Sequence, residues 1–359
     1  MKTMREPLVS VVMVTCNVER FLPEAIESVL NQTFRDFEFL IVDFGSTDKT
    51  KEIILSYASN DRRISFREIP KCGLAAARNV AGFLARGRYI AIQDADDISL
   101  PHRLIAGVDF MEKHPEVGLV GSAIQRIDSD GKHLATVNDY PTEDKEIRSV
   151  LKKWNTFWQP TAFIRTEAFV RTGGYLDVLA PSEDYDLWLR ISEHYKCANL
   201  KQILVNYRVH PHQVSIRQRK KQILCVLAAQ AAASLREQGK PDPLPSVTEI
   251  TPALLVGMGV SEIRQENALA EGFLSLMEDI YRAGGNTTVP ELAAEMFKLC
   301  PSQGVDQRYI SSAHILSAKA YWKQGRVFHS FLSLAHAVLA RPRVMGRPLK
   351  PLLRRLRPV

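Results

Sequence analysis

The chain carries three carboxylates within four residues, Asp94, Asp96 and Asp97, directly after the apolar run 89–93. An apolar run of this kind is typical of a strand that is buried on both faces. Carboxylates so close together repel one another unless a cation lies among them. Because Mg²⁺ and Mn²⁺ prefer carboxylate oxygens and substrate phosphates, the cluster indicates a divalent-metal site. A solvated acidic turn before a helix near Pro101 fits the same residues.

Four further polar clusters follow strand-like segments or begin helix-like ones. They are VTCN at 14–17, VDFGSTD at 42–48, GLAAARN at 73–79 and SEDYDLWLR at 182–190. In an open α/β sheet, ligands bind outside the carboxyl ends of the strands. We therefore expect the first three of these clusters to meet the acidic cluster at one edge of a sheet.

Strand-like and helix-like segments alternate through the first part of the sequence. Strands are expected at 9–15, 37–42, 64–68, 89–93, 117–127, 132–137, 157–164 and 200–209. Helices are expected at 23–31, 49–57, 74–85, 103–114 and 184–194. Ser46 and Thr47 are candidate caps for the second of these helices. The alternation predicts an α/β fold with a mostly parallel, doubly wound sheet.

The pattern becomes helical after residue 220. A helix is expected at 222–238, a proline-containing linker or corner at 240–246, and only helices over 249–340. The segments 268–284 and 312–325 each end in a Tyr followed within a few residues by a Gly, which faintly resembles tetratricopeptide-type hairpins. A plain helical bundle also fits. The expected domains are 1–220, a helical domain 221–340 and a tail 341–359.

The positive charge of the chain is concentrated in that tail. The formal net charge is +7, and residues 341–359 contain seven Lys and Arg residues and no acidic one. Leucines lie between these charges, which favours attachment to an anionic membrane surface. A solubilising tail is the alternative. Nucleic acid is not expected as a partner, because no recognisable nucleic-acid module accompanies the tail.

The cysteines and the apolar runs indicate a cytoplasmic protein. The five cysteines are scattered, and none lies at a zinc-ligand spacing, which is typical of a reduced compartment. The apolar run at 8–16 is short and lacks a cleavage site, so a strand is a better interpretation than a secretory signal. No apolar run reaches the ~18 residues of a membrane span.

The five clusters, in this order and on these elements, resemble family 2 glycosyltransferases of GT-A fold over roughly residues 7–215. The resemblance implies a GT-A-type, Rossmann-like, doubly wound mixed sheet that binds a nucleoside-diphosphate sugar. On the donor side, Thr15 and Asp43 match residues that line the nucleoside pocket, and Asp94 matches a ribose contact. Arg78 matches a basic residue facing the donor, although a surface helix arginine is the alternative.

The resemblance also implies a metal site and a catalytic base. Asp96 matches the carboxylate that holds Mn²⁺ or Mg²⁺ on the diphosphate, and Asp97 supports it directly or through water. His210 lies where some relatives complete the metal or phosphate site, but a lone His is more often structural. Asp184 matches the base that deprotonates the acceptor hydroxyl, unless it merely begins a solvated helix. One base without an opposing nucleophile implies a single, inverting displacement.

Two places are less clearly defined by the resemblance. The family often has a second acid after Asp43, where this chain has Phe44. Phe44 could stack on the nucleobase or pack in the core, so the base of the donor is open. Trp158, just before Gln159-Pro160-Thr161, is a candidate acceptor contact, because aromatic faces stack on sugar rings.

The sequence thus predicts an inverting, metal-dependent hexosyltransferase of cell-surface polysaccharide or glycolipid biosynthesis, acting on a glycan or lipid-linked acceptor. It is expected in the cytoplasm, peripheral to the inner face of a membrane. A nucleotidyltransferase is a weaker alternative, since residues 15–19 do not form a Gly- and Lys-rich triphosphate loop. A non-catalytic nucleotide- or carbohydrate-binding scaffold is the other alternative.

Overall fold

A computed structural model describes residues 6–210, 218–282, 284–301 and 304–341. These residues form two compact units. The first contains the chain up to Arg217 together with Ala228–Glu249, and the second contains Gln218–Leu227 and the chain from Ile250 onward.

The first unit is built on a mixed sheet. In the described ranges the strands are β1 (Val9–Thr15), β2 (Phe37–Asp43), β3 (Ile64–Glu68), β4 (Tyr89–Asp94), β5 (Ile98–Ser99), β6 (Val117–Ile127), β7 (His133–Val137), β8 (Phe163–Arg165) and β9 (Lys196–Arg208). Their order is β3-β2-β1-β4-β8-β6-β9-β5, with β7 paired to β6. The strands β3, β2, β1 and β4 run parallel, and β8 is antiparallel to both of its neighbours.

Helices cover this sheet and make up the second unit. In chain order they are α1 (Leu22–Leu30), α2 (Thr50–Asn60), α3 (Leu74–Leu84), α4 (Arg103–Lys113), α5 (Asp144–Leu151), α6 (Thr166–Arg171), α7 (Glu183–His194), α8 (Arg219–Glu237), α9 (Pro252–Gly257), α10 (Glu262–Arg282), α11 (Thr288–Leu299), α12 (Gln307–Lys323) and α13 (Val327–Ala340). The expected fold class, an α/β sheet followed by helices, is confirmed.

The register of the central strands brings the functional clusters to one edge. Thr15 at the end of β1 lies opposite Asp43 at the end of β2, and Val14 lies opposite Asp94 at the end of β4. Residues of β1 such as Val11 alternate into the buried core, which anchors the strands and fixes this register. The edge is therefore set by the apolar pattern of the strands.

Two local predictions are wrong. Residues 157–164 do not form one strand, because Gln159–Thr161 is a 3₁₀ turn and only β8 is extended. Pro160 has no N–H to donate to a sheet, so the chain turns there. Ser46 and Thr47 do not cap α2, which begins at Thr50 after Lys49. Instead, their loop bonds to the loop after β1.

The second unit has an apolar core of its own. Phe273 and Met277 of α10 pack there with residues of α11 and α12 such as Met296 and Ala313. The helices α10 and α11 follow each other along the chain, as do α12 and α13. The Tyr of the first predicted segment lies near the end of α10, and that of the second lies near the end of α12. In the described ranges, no helix combines the length and the apolar character needed to cross a membrane.

Candidate functional site

The loops after β1 and β2 are tied together by side-chain hydrogen bonds. The Thr15 hydroxyl donates to Asp43 Oδ2 at 3.0 Å, and both residues are buried. Asp43 Oδ1 accepts the backbone N–H groups of Gly45 and Ser46. Asn17, at φ 56°, accepts the N–H of Thr47 at 2.7 Å. The two residues predicted to line the nucleoside pocket, Thr15 and Asp43, are thus in contact, and Asp43 also fixes the loop after β2.

Arg78 of α3 connects the acidic turn to the beginning of α7. One guanidinium nitrogen donates to Glu183 Oε1, and another lies 3.2 Å from Asp94 Oδ1. Glu183 is buried and Asp94 is half-buried. Burial raises the pKa of Asp94, and the Arg78 charge opposes that rise. The arginine is therefore not a free surface residue, because it pairs with Glu183, which lies 105 positions further along the chain.

The acidic turn and the end of β9 form a second set of contacts. His210 Nε2 lies 2.9 Å from Asp96 Oδ2. The Asp97 carboxylate is buried, and its Oδ1 accepts the backbone N–H of Arg208 at 2.7 Å. Burial, together with the charges of Asp96 and Asp94, raises the pKa of Asp97 well above its ordinary value. Asp97 thus holds the end of β9, two residues before His210, at the acidic turn.

The sequence interpretation missed two buried arginines behind this turn. Arg208 donates to the Asp96 carbonyl at 2.9 Å and to the Glu24 carboxylate. Arg103 of α4 donates to Ser99 Oγ at 2.9 Å and to the Ile92 carbonyl. Burial lowers the pKa of Arg103 to about 10. Both side chains fix the backbone around the carboxylates. For Arg208, the sequence sign of this role was its position as a basic residue next to Tyr207 in a predicted strand.

Asp184 is the second residue of α7. The charges of Arg78 and Glu183 both act on its carboxylate. Burial and the charge of Glu183 together raise its pKa to about 7, against the opposing effect of the Arg78 charge. Asn155 donates to Asp184 Oδ2 at 3.3 Å. Trp188 and Leu189 are buried behind it, as the sequence predicted. A carboxylate with a pKa near neutrality can exchange a proton at physiological pH.

The residues at the acidic turn fit a divalent ion that is shared with a substrate. Within the ranges described, no group of three or more His, Cys, Asp or Glu side chains is arranged to hold a metal ion. Asp96 Oδ2 and His210 Nε2 lie 2.9 Å apart. Neighbouring ligands of an octahedral ion with bonds of ~2.1 Å lie about 3 Å apart, so this pair fits two of six positions. Phosphate oxygens and water would supply the others.

The aromatic candidates occupy different environments. Phe157 is buried and packs against Trp188, with ring centroids 6.2 Å apart. Trp158 is half-buried and lies 5.1 Å from the Tyr207 ring, close to the acidic turn. Phe44 is half-buried next to Asp43. Trp158 and Phe44 are therefore both partly exposed.

Comparison with known proteins identifies the family. The profile described as Glycosyl transferase family 2 matches residues 10–173. An uncharacterized glycosyltransferase of Methanocaldococcus jannaschii is 38% identical over 225 residues, which are 62% of this chain and 77% of that protein. This chain belongs to glycosyltransferase family 2. The O-antigen biosynthesis glycosyltransferase WbnJ of Escherichia coli is 31% identical to this chain over 207 residues, which are 56% of this chain and 80% of WbnJ.

Solved structures share the fold of this glycosyltransferase. Residues 1–349 of S. aureus TarS, crystallised with UDP-GlcNAc, align with a TM-score of 0.55 and 16% identity over 91% of this chain and 90% of that one. The mannosyltransferase PcManGT of Pyrobaculum calidifontis, in complex with GDP-Man and Mn²⁺, aligns with a TM-score of 0.51 and 20% identity over 89% of each chain. At these identities the likeness concerns the fold alone.

Proposed function

We propose that this glycosyltransferase moves a hexose from a nucleoside-diphosphate sugar to a hydroxyl group, with inversion and with a divalent metal. The observation that carries the proposal is the position of Arg78 between Asp94 and Glu183. It brings the acidic turn, with Asp96, and the start of α7, with Asp184, into one polar site. That site contains both a candidate ion-binding pair and a carboxylate with a pKa of about 7.

The metal side of the site would neutralise the leaving group. We assign Asp96 and His210 as the ligands of Mn²⁺ or Mg²⁺, and Asp97 as a residue that positions them through Arg208. A bound divalent ion supplies charge stabilisation for a departing diphosphate. Arg78 pairs with Asp94 and Glu183, so its positive charge offsets part of theirs at the place that we propose for the diphosphate.

The base side of the site would act on the acceptor. Asp184 takes the proton of the attacking hydroxyl, and its raised pKa brings it close to the pH of the reaction. Asn155 orients the carboxylate through its hydrogen bond. With one base and no nucleophile assigned to the opposite face of the sugar, the proposal is a single displacement that inverts the anomeric carbon.

The donor and the acceptor are proposed only as chemical classes. We assign Thr15 and Asp43 to the nucleoside pocket, Asp94 to the ribose and Phe44 to the edge of the base. The fold neighbours were solved in complex with UDP-GlcNAc and with GDP-Man, so both nucleotide sugars are candidate donors. WbnJ and the Escherichia coli chondroitin synthase support a glycan or lipid-linked acceptor in polysaccharide biosynthesis.

Location follows from the acceptor class. A cell-surface glycan assembled on lipid is reached by a cytoplasmic enzyme at the inner face of a membrane, which is the location we propose. The basic segment 342–359 lies outside the described residues, so its predicted membrane contact stays a prediction. The Trp158 contact with the acceptor also stays a prediction.

A donor panel tests the proposal. UDP-, GDP- and dTDP-sugars are incubated with the full chain in Mn²⁺, Mg²⁺ or EDTA, and nucleoside diphosphate release is measured. We expect release from one donor class that EDTA abolishes. The same donor should raise the melting temperature more strongly with Mn²⁺ than without it. Donor binding without release under any condition would instead support the non-catalytic scaffold.

A further inference from the structure

The connection between α6 and α7, residues 172–182, leads directly to the start of the helix that carries Asp184. Its regular structure is limited to the 3₁₀ turn Asp177–Leu179. A connection with so little regular structure needs partners elsewhere in the fold to hold one position. The contacts that hold it therefore determine the position of the first turn of α7.

Asn79 of α3 binds the backbone of this connection through both ends of its carboxamide. Its Nδ2 donates to the Tyr175 carbonyl at 2.8 Å, and its Oδ1 accepts the Tyr175 N–H at 2.7 Å. A Cβ at Gly174 would collide with the same Oδ1, so this close approach requires a glycine. One side chain of α3 thus satisfies both backbone groups of a residue that lies 96 positions further along the chain.

A second residue of the connection binds α3 near its first turn. Asp177 Oδ1 accepts the N–H of Ala76 at 3.3 Å. The N-cap residue of α3 is Gly73, which has no side chain to cap the helix, so Asp177 supplies an acceptor in its place. Asp177 is exposed, and we therefore expect its contact to contribute less than that of Asn79. Because α3 packs against β1 and β2, both contacts hold the connection relative to the sheet.

Arg190 of α7 fixes the other side of the connection. Its guanidinium donates to the carbonyls of Thr172 and Gly174, and its charge pairs with Asp186. The connection is thus bound to α7 by Arg190 and to α3 by Asn79. A displacement of the connection on α3 would therefore displace the start of α7 as well.

Arg78 is the residue before Asn79 on α3, and it pairs with Glu183 at the start of α7. We propose that Asn79 is a positioning residue for the transfer, because it holds the connection on α3 and so fixes Asp184 relative to Arg78. This inference rests on the proposed function, in which Asp184 is the base. Reacting groups must be held within a fraction of an ångström of their productive geometry, so a loosened connection should slow the transfer.

Asn79→Ala tests the proposal in the full chain. Asp177→Ala is a second variant, which breaks the exposed contact without opening the core. Asn60→Ala is the matched control, because Asn60 is exposed on α2 and donates to the Ser56 carbonyl of its own helix. The measurements are hydrogen exchange of the backbone amides 174–186, binding of the nucleotide sugar that is active in the donor panel, and the pH profile of kcat/KM.

We expect the amides 174–186 to exchange faster in Asn79→Ala and, to a smaller extent, in Asp177→Ala. In Asn79→Ala, kcat should fall at least about tenfold, while the Kd of the donor stays within about threefold of the wild-type value. Asn60→Ala should match the wild type in all three measurements.

The pH profile separates positioning from a general loss of stability. A smaller folded fraction would lower the measured activity without moving the Asp184 pKa. Burial is the largest cause of the raised Asp184 pKa, ahead of the charges of Glu183, Arg78 and Asp94. Burial also raises the pKa of Tyr175, so this ring stays neutral near pH 7. Because a loosened start of α7 admits water, the midpoint of the rise of kcat/KM with pH should fall by about half a unit or more.

Unchanged exchange of the amides 174–186 in Asn79→Ala would overturn the proposal, whether or not a donor has been found. Faster exchange with an unchanged pH midpoint would also overturn it, provided that Asp184→Asn has lost activity. If Asp184→Asn is as active as the wild type, the assignment of the base fails, and the positioning role of Asn79 fails with it.

Discussion

The charge of Glu183 should set the pH dependence of the reaction through Asp184. Glu183 is buried beside Asp184, and its charge is the largest influence after burial that raises the Asp184 pKa to about 7. Glu183→Gln keeps an oxygen that can accept from Arg78 but removes the negative charge. The Arg78 charge, which lowers the Asp184 pKa, is then less compensated. Both changes act in the same direction, so the Asp184 pKa should fall.

The expected size of the effect follows from the coupling of buried carboxylates. Two such groups commonly interact by about one pK unit or more, which corresponds to about 1.4 kcal/mol. With a pKa of about 7, roughly a tenth of Asp184 is ionised at pH 6. With a pKa of about 6, half of it is ionised at the same pH. At pH 6, kcat/KM relative to its own plateau should therefore rise about fivefold in Glu183→Gln.

The assay is the pH profile of kcat/KM for donor consumption, because this parameter reports the groups of the free enzyme. The wild-type profile should rise with pH through about 7, since the base must be deprotonated. Glu193→Gln makes the same substitution at an exposed position of α7 and serves as the control. If the midpoint of the rise of kcat/KM with pH is unchanged or moves to higher pH in Glu183→Gln, the assignment of Asp184 as the titrating base is refuted.

Three further substitutions test other parts of the structure. His210→Ala should raise the Mn²⁺ concentration for half-maximal nucleoside diphosphate release about tenfold or more, and an unchanged metal titration would remove His210 from the site. Arg208→Met should lower the melting temperature and also weaken activation by Mn²⁺, because each buried acceptor that loses its donor costs about 1–3 kcal/mol. Full activation by Mn²⁺ at a lowered melting temperature would mean that Arg208 only stabilises the fold. Gly82→Ala would place a Cβ 2.5 Å from a buried phenylalanine ring and should cost about 1–3 kcal/mol in denaturant unfolding. Gly257→Ala, with open space around it, is the control and should leave stability nearly unchanged.

The sequence was sufficient for the parts of the fold that depend on local patterns. Continuous apolar runs predicted β1, β2 and β4, and the polar residues that end them, Thr15, Asp43 and Asp94, lie together as expected. This worked because parallel strands present their carboxyl ends at one edge. The short strand β5, the helices α5 and α6 and the turn at Gln159–Thr161 were not predicted, since brief segments carry too little periodicity.

The parts of the site that depend on tertiary contacts could not be predicted. Arg103 and Arg208 are expected at the surface from residue type, because a buried guanidinium needs several partners from distant segments. The pair of Arg78 with Glu183 joins α3 to α7, and no local pattern contains it. The raised pKa of Asp184 likewise arises from burial and neighbours that only the folded chain assembles.

The most direct test of the catalytic proposal compares Asp184→Asn with Asp109→Asn. Asp109 is exposed on α4 and has no assigned role in the site, so the control loses the same charge. Nucleoside diphosphate release is measured with the donor and Mn²⁺ at saturation, and donor binding is measured by calorimetry. We predict that Asp184→Asn binds the donor like the wild type but releases nucleoside diphosphate at least about 100-fold more slowly, while Asp109→Asn is unaffected. Release by Asp184→Asn within a few-fold of the wild-type rate would contradict the assignment of the base.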